Sequence, residues 1–139
     1  NQYKKKVLDY VTDRKIEDIE FGRVREADLY STMTDIFVLS SHSEGLPLSV
    51  IEAMSVGLPV VASDVGAMKE IIEHRKDGIL VRPESVDDLV KALNELIEDD
   101  ALRRNLSRNA IKKINGKFTI ERMKEDYQIL YDSLDPSVT

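Results

Sequence analysis

Cysteine and tryptophan are both absent from these 139 residues, and aromatic side chains make up only 6% of them. Without cysteine there is no disulfide and no thiolate metal site, so a reducing cytoplasm is allowed. Two histidines, His42 and His74, cannot build a zinc site alone. Long apolar runs are lacking too. No stretch approaches the roughly 20 apolar residues of a membrane-spanning helix, and the N-terminal residues carry no signal-peptide core. There is no basic excess: 20 Lys and Arg against 26 Asp and Glu leave a net charge of -6. That balance argues against a general nucleic-acid binder and suits small or neutral partners. What remains is a chain of single-domain size, large enough for one core, with no repeats and no low-complexity linker.

With only six glycines and four prolines, each one punctuates. Apolar runs alternate with helical patterns, which predicts a parallel sheet covered on both faces. Residues 3–12 read as a helix, 19–23 as a strand, 26–33 as a short helix and 35–39 as a strand. A helix starts at Pro47 and stops at Gly57, with Pro59 beyond it as a second stop signal. Residues 60–63 read as a strand, 68–74 as a helix and 78–82 as a strand bounded by Gly78 and Pro83. Ser85 then opens a helix as N-cap, with Asp88 three residues on. Val86, Leu89, Val90, Leu93, Leu96 and Ile97 give that helix an apolar stripe. Two more helices follow, over 101–114 and 120–134, the second with Ile120, Met123, Tyr127, Leu130 and Leu134 at helical spacing.

The most informative block is Ser40 to Ser63, where Glu44 and Glu52 have seven residues between them around a Gly-Leu-Pro helix start. A helix N-terminus leaves backbone N–H groups unsatisfied at the positive end of its dipole, so a diphosphate can bind there without a dedicated lysine. Carboxylates cannot bind phosphate, but they accept hydrogen bonds from vicinal hydroxyls such as those of a ribose or a hexose. In open parallel sheets ligands bind beyond the carboxyl ends of the strands, and the loops at 23–24, 40–47 and 64–67 all follow strands. The block therefore reads as a nucleotide-sugar site.

The pattern Glu44-Gly-Leu-Pro-(x)4-Glu52-Ala-Met-x-x-Gly-x-Pro-Val-Val-Ala-Ser63 resembles the C-terminal, donor-binding domain of the GT-B-fold retaining glycosyltransferases of family 4. Phe21-Gly-Arg-Val24, Asp28-Leu-Tyr30, Asp35 to Ser40, Ser63-Asp-Val-Gly66, Glu70 and Gly78 to Val81 continue the resemblance in order, over nearly the whole chain. It implies a doubly wound, Rossmann-like α/β domain that lacks its first strand, with an N-terminal acceptor domain lying outside these residues. It also implies transfer of a sugar from a nucleoside diphosphate, with retention of configuration, by the complete enzyme rather than by this piece.

By the same resemblance Glu44 and Glu52 are the candidate catalytic residues, Glu44 toward the transferred sugar and Glu52 toward the ribose hydroxyls. Backbone groups of Gly45, Leu46, Leu48 and Ser49 would hold sugar and diphosphate oxygens; Pro47 has no N–H to give. Arg23 and Val24 would flank the base, and Gly66 would permit close approach to phosphate, although Ala67 stands where family members often carry a second glycine. The family's basic diphosphate ligands belong to a segment this sequence does not display. No cofactor is expected beyond a UDP-, GDP- or ADP-sugar as donor substrate, and no metal, since no Asp-x-Asp motif stands at a strand end. The acceptor, a saccharide or a lipid-linked one, would be read by the other domain.

Each residue also has a plainer reading. Taken alone, Glu52 is a solvated helix glutamate and Gly66 a turn glycine; His42 is a loop histidine with or without a substrate contact, and His74 and Asp64 are structural. The helix from Ala101 carries Arg104, Arg108 and Lys112 as a basic stripe opposite Leu102, Leu106, Ala110 and Ile114. That stripe would suit peripheral contact with the inner face of a membrane, but a core-packed helix with a solvated basic face explains it without one. The expected location is cytoplasmic. A receiver-like signalling module or another non-catalytic doubly wound nucleotide-binding domain is the alternative, and it lacks its acidic pair and lysine loop here. A nucleotide-sugar epimerase of the same fold fits the Glu-Gly-Leu-Pro and Glu-Ala-Met pattern less well.

Overall fold

The computed structural model describes residues 2–16 and 34–134. The strand expected over 19–23 and the helix over 26–33 lie outside them, as do Arg23 and Val24. Helix α1 (Gln2–Asp13) is followed, among the described residues, by β1 (Phe37–Leu39), α2 (Leu48–Ser55), β2 (Val60–Ser63), α3 (Met68–Ile71) and β3 (Ile79–Val81). Three helices complete the order: α4 (Val86–Glu98), α5 (Asp100–Lys117) and α6 (Ile120–Leu134).

The strands form a parallel sheet in the order β1-β2-β3, with Val38 beside Val61 and Val61 beside Ile79. All four residues of β2 are buried. Successive side chains of a strand point to opposite faces, so Val60 and Ala62 join Val50, Ala53 and Met54 of α2 and Met68 and Ile71 of α3 in one core. Val61 turns the other way, toward Ile79, Val81, Ala92, Leu96 and Leu106. Helix α5 supplies both cores, Leu106 to one and Ala110 and Ile114 to the other. The expected parallel sheet with apolar cover on both faces is therefore present, over three strands among the described residues.

The turn chemistry was well marked in the sequence. Pro47 occupies the N-cap position of α2. Gly57, past its last turn, has φ +82, and a Cβ there would come within 2.8 Å of Ile111 Cδ1 and 2.9 Å of Ser107 Oγ. Its bare backbone thus both turns the chain and lets α2 lie against α5. Ser85 Oγ accepts the Asp88 N–H at 3.3 Å, and Asp99 Oδ1 accepts the Leu102 N–H at 2.8 Å. Arg103 donates to the carbonyls of Leu96 and Ile97, placing a cation on the C-terminal end of α4 where the dipole favours it.

Three expectations need correction. Helix α3 ends at Ile71 rather than at residue 74, because Ile72 is already extended. The following turn is held by Asp77, which accepts the Glu73 N–H at 2.7 Å and pairs with Lys113 at 3.1 Å. The apolar stripe of α4 is wider than its buried face: Ala92 and Leu96 are buried and Leu89 and Leu93 packed, while Val86, Val90 and Ile97 face solvent. The sheet covers only one side of a helix, so the rest of the stripe has nothing to meet among the described residues. Helix α6 spans the expected residues but buries none of them, and Ile120, Met123, Tyr127, Leu130 and Leu134 are exposed. Among the described residues no helix is long and apolar enough to cross a membrane.

Candidate functional site

Three parallel strands in register release their loops at one edge of the sheet. Residues 40–47 leave β1, residues 64–67 leave β2 and residues 82–85 leave β3. Gly66 joins the first two loops. It has φ +54, and a Cβ there would lie 1.9 Å from the Glu44 carbonyl oxygen. The Ala67 N–H donates to the Gly45 carbonyl at 3.3 Å, so the loops meet backbone to backbone. The close approach that Gly66 allows is therefore made by Glu44. His42 Nδ1 lies 3.3 Å from Glu84 Oε1 and links the first loop to the third, with both side chains exposed. A cleft of about 480 Å³ opens here, with Ser40, His42, Ser63 and Arg82 around Val81 and Leu89.

Helix α2 is seated by Val50, Ala53 and Met54, all buried. Its first turn carries no side-chain cap. The N–H groups of Gly45, Leu46, Leu48 and Ser49 have no acceptor among the described residues. Leu46 and Leu48 are 52% and 63% exposed, and a Cβ on Gly45 would meet nothing within 4 Å. Open amides at the positive end of a helix are the arrangement that receives an anion.

The two glutamates differ in setting. Glu44 is half-buried, and Ser41 Oγ donates a 2.6 Å hydrogen bond to its Oε1. Glu52 is exposed on the face of α2 that also carries Leu48 and Ser49, since residues three and four apart share a helix face. The structure thus brings Glu44, Gly45 and Gly66 into direct contact, while Glu52 stands along α2 from the open amides. His74 and Asp64, expected to be structural, each have a partner within the chain. His74 Nδ1 accepts the Leu80 N–H at 3.0 Å, and Asp64 pairs with Lys69 at 2.8 Å.

Beside the site, Arg82 grips Asp88 through two hydrogen bonds of 2.6 and 3.0 Å. The guanidinium holds the Asp88 carboxyl down at about 2, and its own pKa is raised in return.

A profile of the family described as glycosyl transferases group 1 matches residues 1–113. The chain belongs to that family. Its fold is that of the C-terminal domain of a GT-B glycosyltransferase. The crystallised C-terminal domain of the group 1 protein LpcC of Francisella tularensis is 31% identical, with a TM-score of 0.77 over 86% of this chain and 64% of that one. A single-substitution mutant of S. aureus TarM, in complex with fondaparinux, α-GlcNAc-glycerol and UDP, is 28% identical with a TM-score of 0.82, over 93% of this chain and 27% of that one. The N,N'-diacetylbacillosaminyl-diphospho-undecaprenol alpha-1,3-N-acetylgalactosaminyltransferase of Campylobacter jejuni is 42% identical over 76 residues, which are 55% of this chain and 20% of that enzyme. This group 1 domain thus spans a small part of the length of the curated relatives it matches.

Sequence reasoning missed the Ser41 contact. Its only signal is a serine three residues before Glu44, a spacing too common to stand out. It also missed the approach of His42 to Glu84, residues 42 positions apart in sequence with no local signature.

Proposed function

We propose that this group 1 domain is the donor-binding half of a retaining, family 4 glycosyltransferase, and that the complete enzyme moves a sugar from a nucleoside diphosphate to a saccharide or lipid-linked acceptor read by its other domain. One observation carries this reading: among the described residues the N–H groups of Gly45, Leu46, Leu48 and Ser49 have no acceptor at the start of α2, next to Glu44. As the glycosidic bond to the diphosphate breaks, negative charge grows on the leaving oxygens. Preorganised amides and the α2 dipole stabilise it, and the reading calls for no metal ion. Glu44 receives hydroxyls of the transferred sugar, Glu52 receives those of the ribose, and Arg23 and Val24 flank the base. Gly66 serves by keeping the Glu44 loop in place.

UDP is the first nucleotide to test, because the 28% identical TarM was crystallised with it; GDP- and ADP-sugars complete the panel. A lipid-linked acceptor takes its support from the name of the Campylobacter enzyme, and peripheral membrane contact in a cytoplasmic enzyme would follow from such an acceptor. The deciding experiment is an amide NMR titration of the chain with UDP-, GDP- and ADP-sugars, repeated on Glu52→Ala. Shifts at Gly45 and Leu48 with one nucleotide are expected. Removal of the carboxylate should weaken binding by about 1.5 to 3 kcal/mol, the worth of hydrogen bonds to a charged group. Unchanged affinity in Glu52→Ala would refute its assignment.

A further inference from the structure

A glutamate has three side-chain torsions, and immobilising such a chain costs rotamer entropy. A carboxylate that must meet a sugar hydroxyl at one angle is therefore best held before the ligand arrives. Ser41 supplies such a restraint. Its hydroxyl donates to Glu44 Oε1 at 2.6 Å, the short distance of a charge-assisted O–H···O⁻ bond. Serine side chains in loops commonly bond a nearby backbone group instead, and this one is aimed at the carboxylate. Both residues are half-buried, which screens the bond less than an exposed pair. The neighbouring contact of His42 with Glu84 is between side chains 79% and 75% exposed, and such pairs restrain little.

We propose that Ser41 is a positioning residue that orients Glu44 for the transferred sugar by occupying Oε1 and leaving Oε2 free to accept a sugar hydroxyl. The proposal rests on the reading of Glu44 as the sugar ligand. It separates two parts of the donor. Gly66 and Ala67 hold the loop backbone, so the amides that would meet the diphosphate keep their places when Ser41 is truncated. Only recognition of the sugar should suffer.

The test compares nucleotide sugar with free nucleotide on this chain. UDP-glucose, GDP-mannose and ADP-glucose are titrated calorimetrically beside UDP, GDP and ADP, and the best-bound pair is carried through. The readout is the ratio of the two affinities. Ser41→Ala is expected to lower that ratio about tenfold, the scale of one hydrogen bond to a charged group, with free-nucleotide affinity unchanged. Ser41→Thr, which keeps the hydroxyl, should retain the ratio, and its isostere Ser41→Val should lose it; this pair decides if the alanine variant fails to fold. Glu44→Gln should lower the ratio, and adding Ser41→Ala to it should lower it no further. An unchanged ratio in Ser41→Ala and Ser41→Val beside a loss in Glu44→Gln overturns the role of Ser41. Equal weakening of sugar and free nucleotide in the Ser41 variants also overturns it, since that marks a general structural part. An unchanged ratio in Glu44→Gln, or no binding by any of the three pairs, overturns the reading of Glu44 beneath it.

Discussion

A methyl group added at Gly66 would meet the Glu44 carbonyl oxygen at 1.9 Å, and its φ of +54 is strained for any L side chain. The obstacle is backbone, which cannot swing aside as the end of a flexible side chain can. Gly66→Ala should therefore lower stability by about 1 to 3 kcal/mol, the range of a forced left-handed residue, and shift the Glu44 loop away from the α2 amides. Thermal unfolding measures the first effect, and weaker nucleotide-sugar binding in a folded variant the second; a variant that melts and binds like the parent would contradict both. At this scale the two glutamates were legible because an ordered block of residue types surrounds them. The reason for Gly66 was only half legible. Its glycine identity pointed to close approach, but which atoms approach depends on residues 22 positions apart in sequence, Glu44 and Gly66, meeting in space.

The turn that enters β3 is pinned to helix α5 by polar contacts. Lys113 of α5 reaches Asp77, which is 3% exposed, at 3.1 Å, while Asn109 of the same helix donates to the Lys76 carbonyl at 2.8 Å. Lys113→Ala leaves the Asp77 carboxylate buried without its cation. It should cost about 3 to 5 kcal/mol, the range for a broken buried pair, with part recovered by adding Asp77→Asn; chemical denaturation of the three variants tests this. The start of α4 adds a pH dependence. Arg82 depresses the Asp88 carboxyl from 3.8 to about 2, so the unfolded chain binds the proton more readily. The contribution is complete above the ordinary value and is lost as pH falls through about 2. Acid unfolding of Asp88→Asn should show a shallower fall in stability between about pH 4 and 2 than the parent does. Helix starts were readable where Ser85 and Pro47 mark them. The end of α3 was not, because Lys113, 36 residues beyond Asp77, holds the turn that follows it.

Across the whole molecule, β2 lies between two cores and α5 contributes to both. The basic side chains Arg104, Arg108 and Lys112 remain on the exposed face of α5, while Leu106, Ala110 and Ile114 are buried. This is the arrangement expected of a core-packed helix with a solvated face. Arg108 has no ion-pair partner among the described residues and stands on a helix that carries no part of the candidate site. Arg108→Ala should accordingly leave nucleotide-sugar affinity within twofold of the parent by calorimetry, and a larger loss would place α5 in the site. The sequence by itself determined the α/β alternation, the parallel sheet, the helix starts and the family, because these rest on local periodicity, turn residues and an ordered motif. Tertiary structure alone decided which atoms the site residues meet: the hydroxyl of Ser41 on Glu44, the backbone of Glu44 over Gly66, and the burial of only part of the α4 stripe. Those contacts join side chains and loops through space, and whether a residue type is buried or bound depends on what the fold brings against it.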